Sequence, residues 1–110
     1  INIASMVSWF GGTTVSAYTA SKGAVTQLTK SLTVDCAGRN ININALAPGY
    51  MDTEMCANMT QERKAESSER IPAGRWGTPE DMKGPVLFLR LFERCRYTGR
   101  WRISLQISDG

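Results

Sequence analysis

Ile1 and Ile3 alternate with polar neighbours, a period of two that predicts the end of a strand at INIAS. The pattern changes in MVSWFGGTTVS, which Gly11-Gly12 mark as a loop. From Ser16 to Ala37 apolar or small positions recur at three and four: Ala17, Ala20 or Ser21, Ala24, Val25, Leu28, Leu32, Cys36. That spacing predicts a helix of about six turns. Ser16 is read as its N-cap and Gly38 as a left-handed stop.

NININAL, residues 40–46, alternates Asn and Ile and predicts a second strand, broken by Pro48-Gly49. MTQERKAESSER, residues 59–70, predicts an exposed polar helix, and IPAGRWG a loop. TPEDM is a helix start, with Thr78 as cap, Pro79 at the first helical position and Glu80 and Asp81 near the positive end of the dipole. This last helix is expected to run to about Leu91. The order strand, helix, strand, helix, helix predicts an α/β fold with parallel strands and right-handed crossovers.

In such sheets chemistry gathers at the carboxyl ends of strands. Ser5 closes the first strand, Pro48-Gly49 closes the second, and Tyr18 and Lys22 lie on the first turns of the helix between them. Positions i and i+4 share a helix face. An ammonium beside a phenol favours the phenolate, which suits the phenol to proton exchange near neutral pH. Ser5 adds a hydroxyl that can hold a carbonyl or alcohol oxygen. Thr19, Ala20 and Ser21 leave room for a flat ligand.

The 110 residues suffice for one domain, and 42% are hydrophobic and 21% charged, as in an ordinary globular protein. No apolar run reaches membrane-spanning length. The first residues lack both Met and a basic leader, and read as the interior of a longer chain. The chain has no histidine, which excludes Ser-His-Asp and Cys-His mechanisms and most zinc sites. Cys36, Cys56 and Cys95 are odd in number and share no CxxC spacing, so reduced thiols in a cytoplasmic protein are expected.

The net charge of +3 is unevenly placed. Residues 1–89 carry 8 basic and 8 acidic side chains; residues 90–110 carry five arginines against Glu93 and Asp109. The Arg-rich end shows neither a nucleic-acid-binding fold nor ordered aromatic spacing, so no nucleic-acid partner is expected.

Ser5, Tyr18 thirteen residues on, Lys22 in YTASK and then NININALAPGYMDT resemble the C-terminal half of a short-chain dehydrogenase/reductase, over residues 1–89. The resemblance implies part of a Rossmann-type doubly wound parallel sheet and an NAD(P)-dependent enzyme interconverting a secondary alcohol and a ketone. It implies that Ser5 positions the substrate oxygen and that Tyr18 transfers the proton. Lys22 would tune Tyr18 and hold the nicotinamide ribose. Pro48, Gly49 and Thr53 would wrap the nicotinamide end, with the Met51 backbone at the carboxamide. Family members are commonly tetramers.

A narrower likeness, carried by INIASM, APGYM and RIPAGRWGTPEDMKGPVLFL, is to sugar-acid dehydrogenases of the gluconate and 2-dehydro-3-deoxygluconate type. It tilts the cofactor toward NAD. Arg75 or Arg70 could then meet a substrate carboxylate; for Arg75 a structural ion pair beside Trp76 is the stronger expectation. A 3-oxoacyl thioester reductase is the nearest competitor. The family's Gly-rich T-G-x-x-x-G-x-G turn, its N-A-G stretch and the residue that selects NAD or NADP have no counterpart here. The other class of reading is therefore a non-catalytic chain that partners a full-length paralogue. Residues 90–110 depart from the family except for faint echoes at Tyr97-Thr98-Gly99 and Asp109-Gly110. They read as a gene-model or reading-frame artefact or as a degenerate end.

Overall fold

The computed structural model describes residues 1–91 and 103–105, the last three through their backbone pairing. Strand β1 is Asn2–Ile3, helix α1 Val7–Phe10, helix α2 Ser16–Ala37 and strand β2 Ala45–Ala47. Helix α3 is Gln61–Glu69, helix α4 Lys83–Leu91 and strand β3 Ile103–Leu105. The three strands form one parallel sheet in the order β1-β2-β3. Asn2 pairs with Ala45 and Ile3 with Leu46; Ala45, Leu46 and Ala47 pair with Ile103, Ser104 and Leu105. The echoes at Tyr97-Thr98-Gly99 and Asp109-Gly110, and Cys95, lie outside the described residues.

Helix α2 has the predicted boundaries but not the predicted buried face. Leu28 is 54% exposed, and Ala17, Ala20 and Ala24 are exposed too. The face against the sheet is Lys22, Val25, Thr26, Thr29, Leu32, Thr33 and Cys36, of which Thr26 and Thr29 are buried. Threonine serves here because the helix satisfies its hydroxyl. Thr26, Thr29 and Thr33 each donate to the carbonyl four residues back, at 3.0, 2.8 and 2.7 Å. A hydroxyl satisfied this way can be buried at little cost. The sheet opposite is built of small residues: Ala4, Ala45 and Ala47 cluster with Val25 against them.

Other boundaries move. The N-cap of α2 is Val15, without a side-chain cap bond, and Ser16 is already helical. Gly38 is right-handed at φ −65°, and the left-handed residue is Asn40 at φ 58°. Asparagine tolerates that region better than most side chains. The turn uses up the start of NININAL, and the regular strand begins only at Ala45. The expected loop after β1 contains the single-turn helix α1. TPEDM begins as a 3-10 turn over Pro79–Met82 that leads into α4.

Candidate active site

Three hydrogen bonds fix how α2 lies on the sheet. Thr33 Oγ1 donates to the Ile43 carbonyl at 2.9 Å, just before β2. Asn2 Nδ2 donates to Thr29 Oγ1 at 3.0 Å, and Lys22 Nζ donates to the Ile3 carbonyl at 2.8 Å. The helix therefore runs antiparallel to the strands, and its first turns stand at their carboxyl ends. Tyr18 lies one turn before Lys22 on the sheet-facing side. There the sheet has run out, and Tyr18 is 41% exposed. The Lys22 ammonium lies 5.6 Å from the centre of the Tyr18 ring.

Ser5 is held between two rungs of the parallel ladder. The Ala4 N–H donates to the Leu46 carbonyl at 2.7 Å, and the Met6 N–H to the Pro48 carbonyl at 3.2 Å. Half-buried Ser5 therefore sits beside the Ala47-Pro48 junction. Pro48 carries no N–H, so it returns no rung to β1 and ends β2. In a parallel ladder alternate residues face alternate edges. The Ile3 carbonyl thus points away from β2, to the edge where Lys22 meets it.

The chain after Pro48-Gly49 folds back on a second segment. Met51 and Gly77 form a parallel bridge: the Gly77 N–H donates to the Tyr50 carbonyl at 2.9 Å and the Asp52 N–H to the Gly77 carbonyl at 2.8 Å. A Cβ at Gly77 would lie 2.7 Å from Met51 Sδ, so only glycine fits without displacing Met51. Tyr50 and Trp76 rings pack at 5.2 Å, and the Lys64 ammonium lies 5.4 Å over Trp76 while pairing with Asp52 at 2.8 Å. Thr53 is exposed and precedes a 3-10 turn over Glu54–Cys56.

Neither candidate for a substrate carboxylate has a free guanidinium. Arg70 pairs with Glu66 at 2.7 Å. Arg75 forms a fork with Asp81, at 2.8 and 3.0 Å, and also donates to the Trp76 carbonyl at 3.0 Å. The expectation of an ion pair beside Trp76 is met. Asp81 Oδ2 also accepts the Thr78 N–H at 2.7 Å. Its carboxyl is held well below the usual range, first by the Arg75 hydrogen bond and then by the Thr78 N–H. The Asp81 hydrogen bond in turn raises Arg75. Asp81 was not singled out from the sequence as Arg75's partner. Its place three residues after the Thr78 cap was the available signal.

Cys36 and Cys56 are free and half-buried. Among the described residues no group of His, Cys, Asp or Glu could hold a metal ion, and no helix is long and apolar enough to cross a membrane.

The donor set suits a nicotinamide nucleoside. Lys22 has three N–H donors, and one is spent on Ile3. The others can meet a ribose diol beside the exposed Tyr18 phenol. Gly49 carries no side chain, so the backbone after Pro48 is open to close approach by a ligand.

A parallel sheet covered by a helix, with a serine, a tyrosine and a lysine at its carboxyl end, is part of a Rossmann-type architecture. A family model described as Enoyl-(Acyl carrier protein) reductase matches residues 1–100. The chain belongs to the short-chain dehydrogenase/reductase family. It is 53% identical over 91 residues to the 2-dehydro-3-deoxy-D-gluconate 5-dehydrogenase of Dickeya dadantii, covering 81% of this chain and 36% of that protein. Over 100 residues it is 37% identical to a 3-oxoacyl-[acyl-carrier-protein] reductase of Thermotoga maritima, covering 91% and 41%. Among solved structures it is similar to a gluconate 5-dehydrogenase from Burkholderia cenocepacia in complex with NADP and tartrate. The TM-score is 0.82 at 34% identity, over 94% of this chain and 41% of that one. The chain thus spans well under half the length of these relatives.

Proposed function

We propose that this chain supplies the proton-transferring, nicotinamide-facing part of an NAD(P)-dependent enzyme that interconverts a secondary alcohol and a ketone on a sugar acid. The observation that carries the reading is that Ser5, Tyr18 and Lys22 all stand at the carboxyl end of the strands, with the Lys22 ammonium 5.6 Å from the centre of the Tyr18 ring. The Ser5 hydroxyl holds the substrate oxygen. In the oxidative direction the alcohol proton passes to the Tyr18 oxygen; in reduction Tyr18 returns it. Lys22 offers its remaining donors to the ribose. Pro48, Gly49, the Met51 backbone and Thr53 line the nicotinamide end. The hydride that balances each proton transfer would come from, or go to, a nicotinamide held by these residues.

The Dickeya and Burkholderia relatives support a sugar acid of the gluconate or 2-dehydro-3-deoxygluconate type. Similarity to the Thermotoga reductase favours 3-oxoacyl thioester reduction as the second reading. The sugar-acid likeness tilts the cofactor to NAD, while the Burkholderia structure carries NADP. A cytoplasmic homo-oligomer, commonly a tetramer in this family, completes the proposal. The test is nicotinamide absorbance in an enzyme whose chain contains this segment. Gluconate, 2-dehydro-3-deoxygluconate and a 3-oxoacyl thioester are each tried with NAD(H) and NADP(H). Turnover of a sugar acid supports the first reading. Turnover of the thioester alone replaces it with the second.

A further inference from the structure

The backbone of Met51 is held by Gly77 on both sides, and the segment that carries Gly77 is itself fastened. Arg75 precedes Gly77 by two residues and forks onto Asp81 in the turn leading to α4. It also donates to the carbonyl of Trp76. Thr78, immediately after Gly77, donates its N–H to the same Asp81 carboxylate. One carboxylate therefore grips the chain on both sides of Gly77. From Asp81 to Met51 the connection passes through hydrogen bonds, main chain and a van der Waals contact. A shallow depression lies between the two segments, walled by Gly49 and Met51 on one side and Arg75, Gly77 and Asp81 on the other.

We infer that Arg75 and Asp81 are positioning residues, a clip that sets the Met51 backbone for the nicotinamide end of the cofactor rather than a substrate-carboxylate site. This rests on the proposed role of the 48–53 segment. Loss of the clip frees the 75–78 segment to shift, and the Tyr50 carbonyl and Asp52 N–H lose their fixed partners. The effect is expected at the nicotinamide end, because the backbone the clip holds is that of residues 50–52. Glu80 provides a matched comparison. It lies in the same turn but pairs outward with Lys83, so its loss changes the charge without touching the clip.

The test uses an enzyme whose chain contains this segment and compares binding of the dinucleotide with binding of its ADP-ribose part, which lacks nicotinamide. Asp81→Asn is expected to weaken the dinucleotide about tenfold while ADP-ribose changes by no more than about twofold. Arg75→Lys, which keeps the charge but loses the fork, should weaken the dinucleotide by a smaller factor. Glu80→Gln should leave both unchanged. Equal losses for both ligands, or none for either, would overturn the clip, and Arg75→Lys decides the matter if Asp81→Asn does not fold. If the parent enzyme binds ADP-ribose but gains nothing from nicotinamide, the proposed role of residues 48–53 falls as well. If it binds neither ligand, the cofactor reading itself is wrong.

Discussion

Lys22 reaches from α2 to the carbonyl of Ile3, 2.8 Å away, on the edge of β1 turned from β2. A strand docked on that edge would compete for the same carbonyl with its own N–H, because the carbonyl lies in the ladder plane. Such a strand would displace the ammonium from that carbonyl and leave its donors for other partners. The site's electrostatics are therefore coupled to what pairs with β1.

Tyr18→Phe in an enzyme containing this segment is expected to lower kcat about 10²- to 10⁴-fold, the range for a lost general acid or base. The ring still packs, so cofactor affinity should stay within about twofold. Lys22→Ala should harm both quantities. A phenylalanine variant retaining more than about a tenth of the parent kcat is incompatible with proton transfer by Tyr18.

Ala45 is fully buried where α2 meets the sheet. Ala45→Leu should destabilise the fold by about 1–3 kcal/mol, because the added carbons have no free volume. Leu28→Gln on the opposite face of α2 should change the stability of the chain as it stands by no more than about 0.5 kcal/mol. Thermal melts of the two variants read the contrast, and equal losses would place the packed face of α2 wrongly.

The Asp81 carboxyl ionises at lower pH in the folded chain than in the unfolded one, whose value is 3.8. Its contribution to stability is therefore present above that value and is lost as pH falls from it toward the folded value. The difference in melting temperature between the parent and Asp81→Asn should be constant from about pH 5 to 8 and shrink below about pH 4. A difference that instead grew on acidification would mean that Asp81 is not held as an anion.

The DNA encoding residues 90–110 should give a better family match in another frame. The motive is the abrupt change from a neutral chain to one with five arginines. The pairing of Ile103–Leu105 with β2 does not decide the question, since three residues of alternating apolar character suffice for it. Peptides from the native protein matching YTGR and ISLQISDG would sink the idea.

The outline of the fold was legible where periodicity is long. Helix α2 has its predicted ends because its three-and-four spacing persists over 22 residues. Its buried face departs from the apolar pattern, because Thr26, Thr29 and Thr33 count as polar there while the helix carbonyls make them buriable. The strand in NININAL was placed early because alternation does not reveal the left-handed turn at Asn40. The placement of Ser5, Tyr18 and Lys22 at the carboxyl end of the strands follows from spacing and topology. The Arg75–Asp81 fork was not, since it depends on how a loop meets a helix start six residues on.

Pro48 keeps the sheet unfinished. A residue with an N–H at that position could return a hydrogen bond to the Ala4 carbonyl, between the rungs that Ala4 makes to Leu46 and Met6 makes to Pro48. At this edge a regular ladder thus gives way to a main-chain acceptor that β2 cannot reach, and a substitution that supplied the N–H would remove that difference.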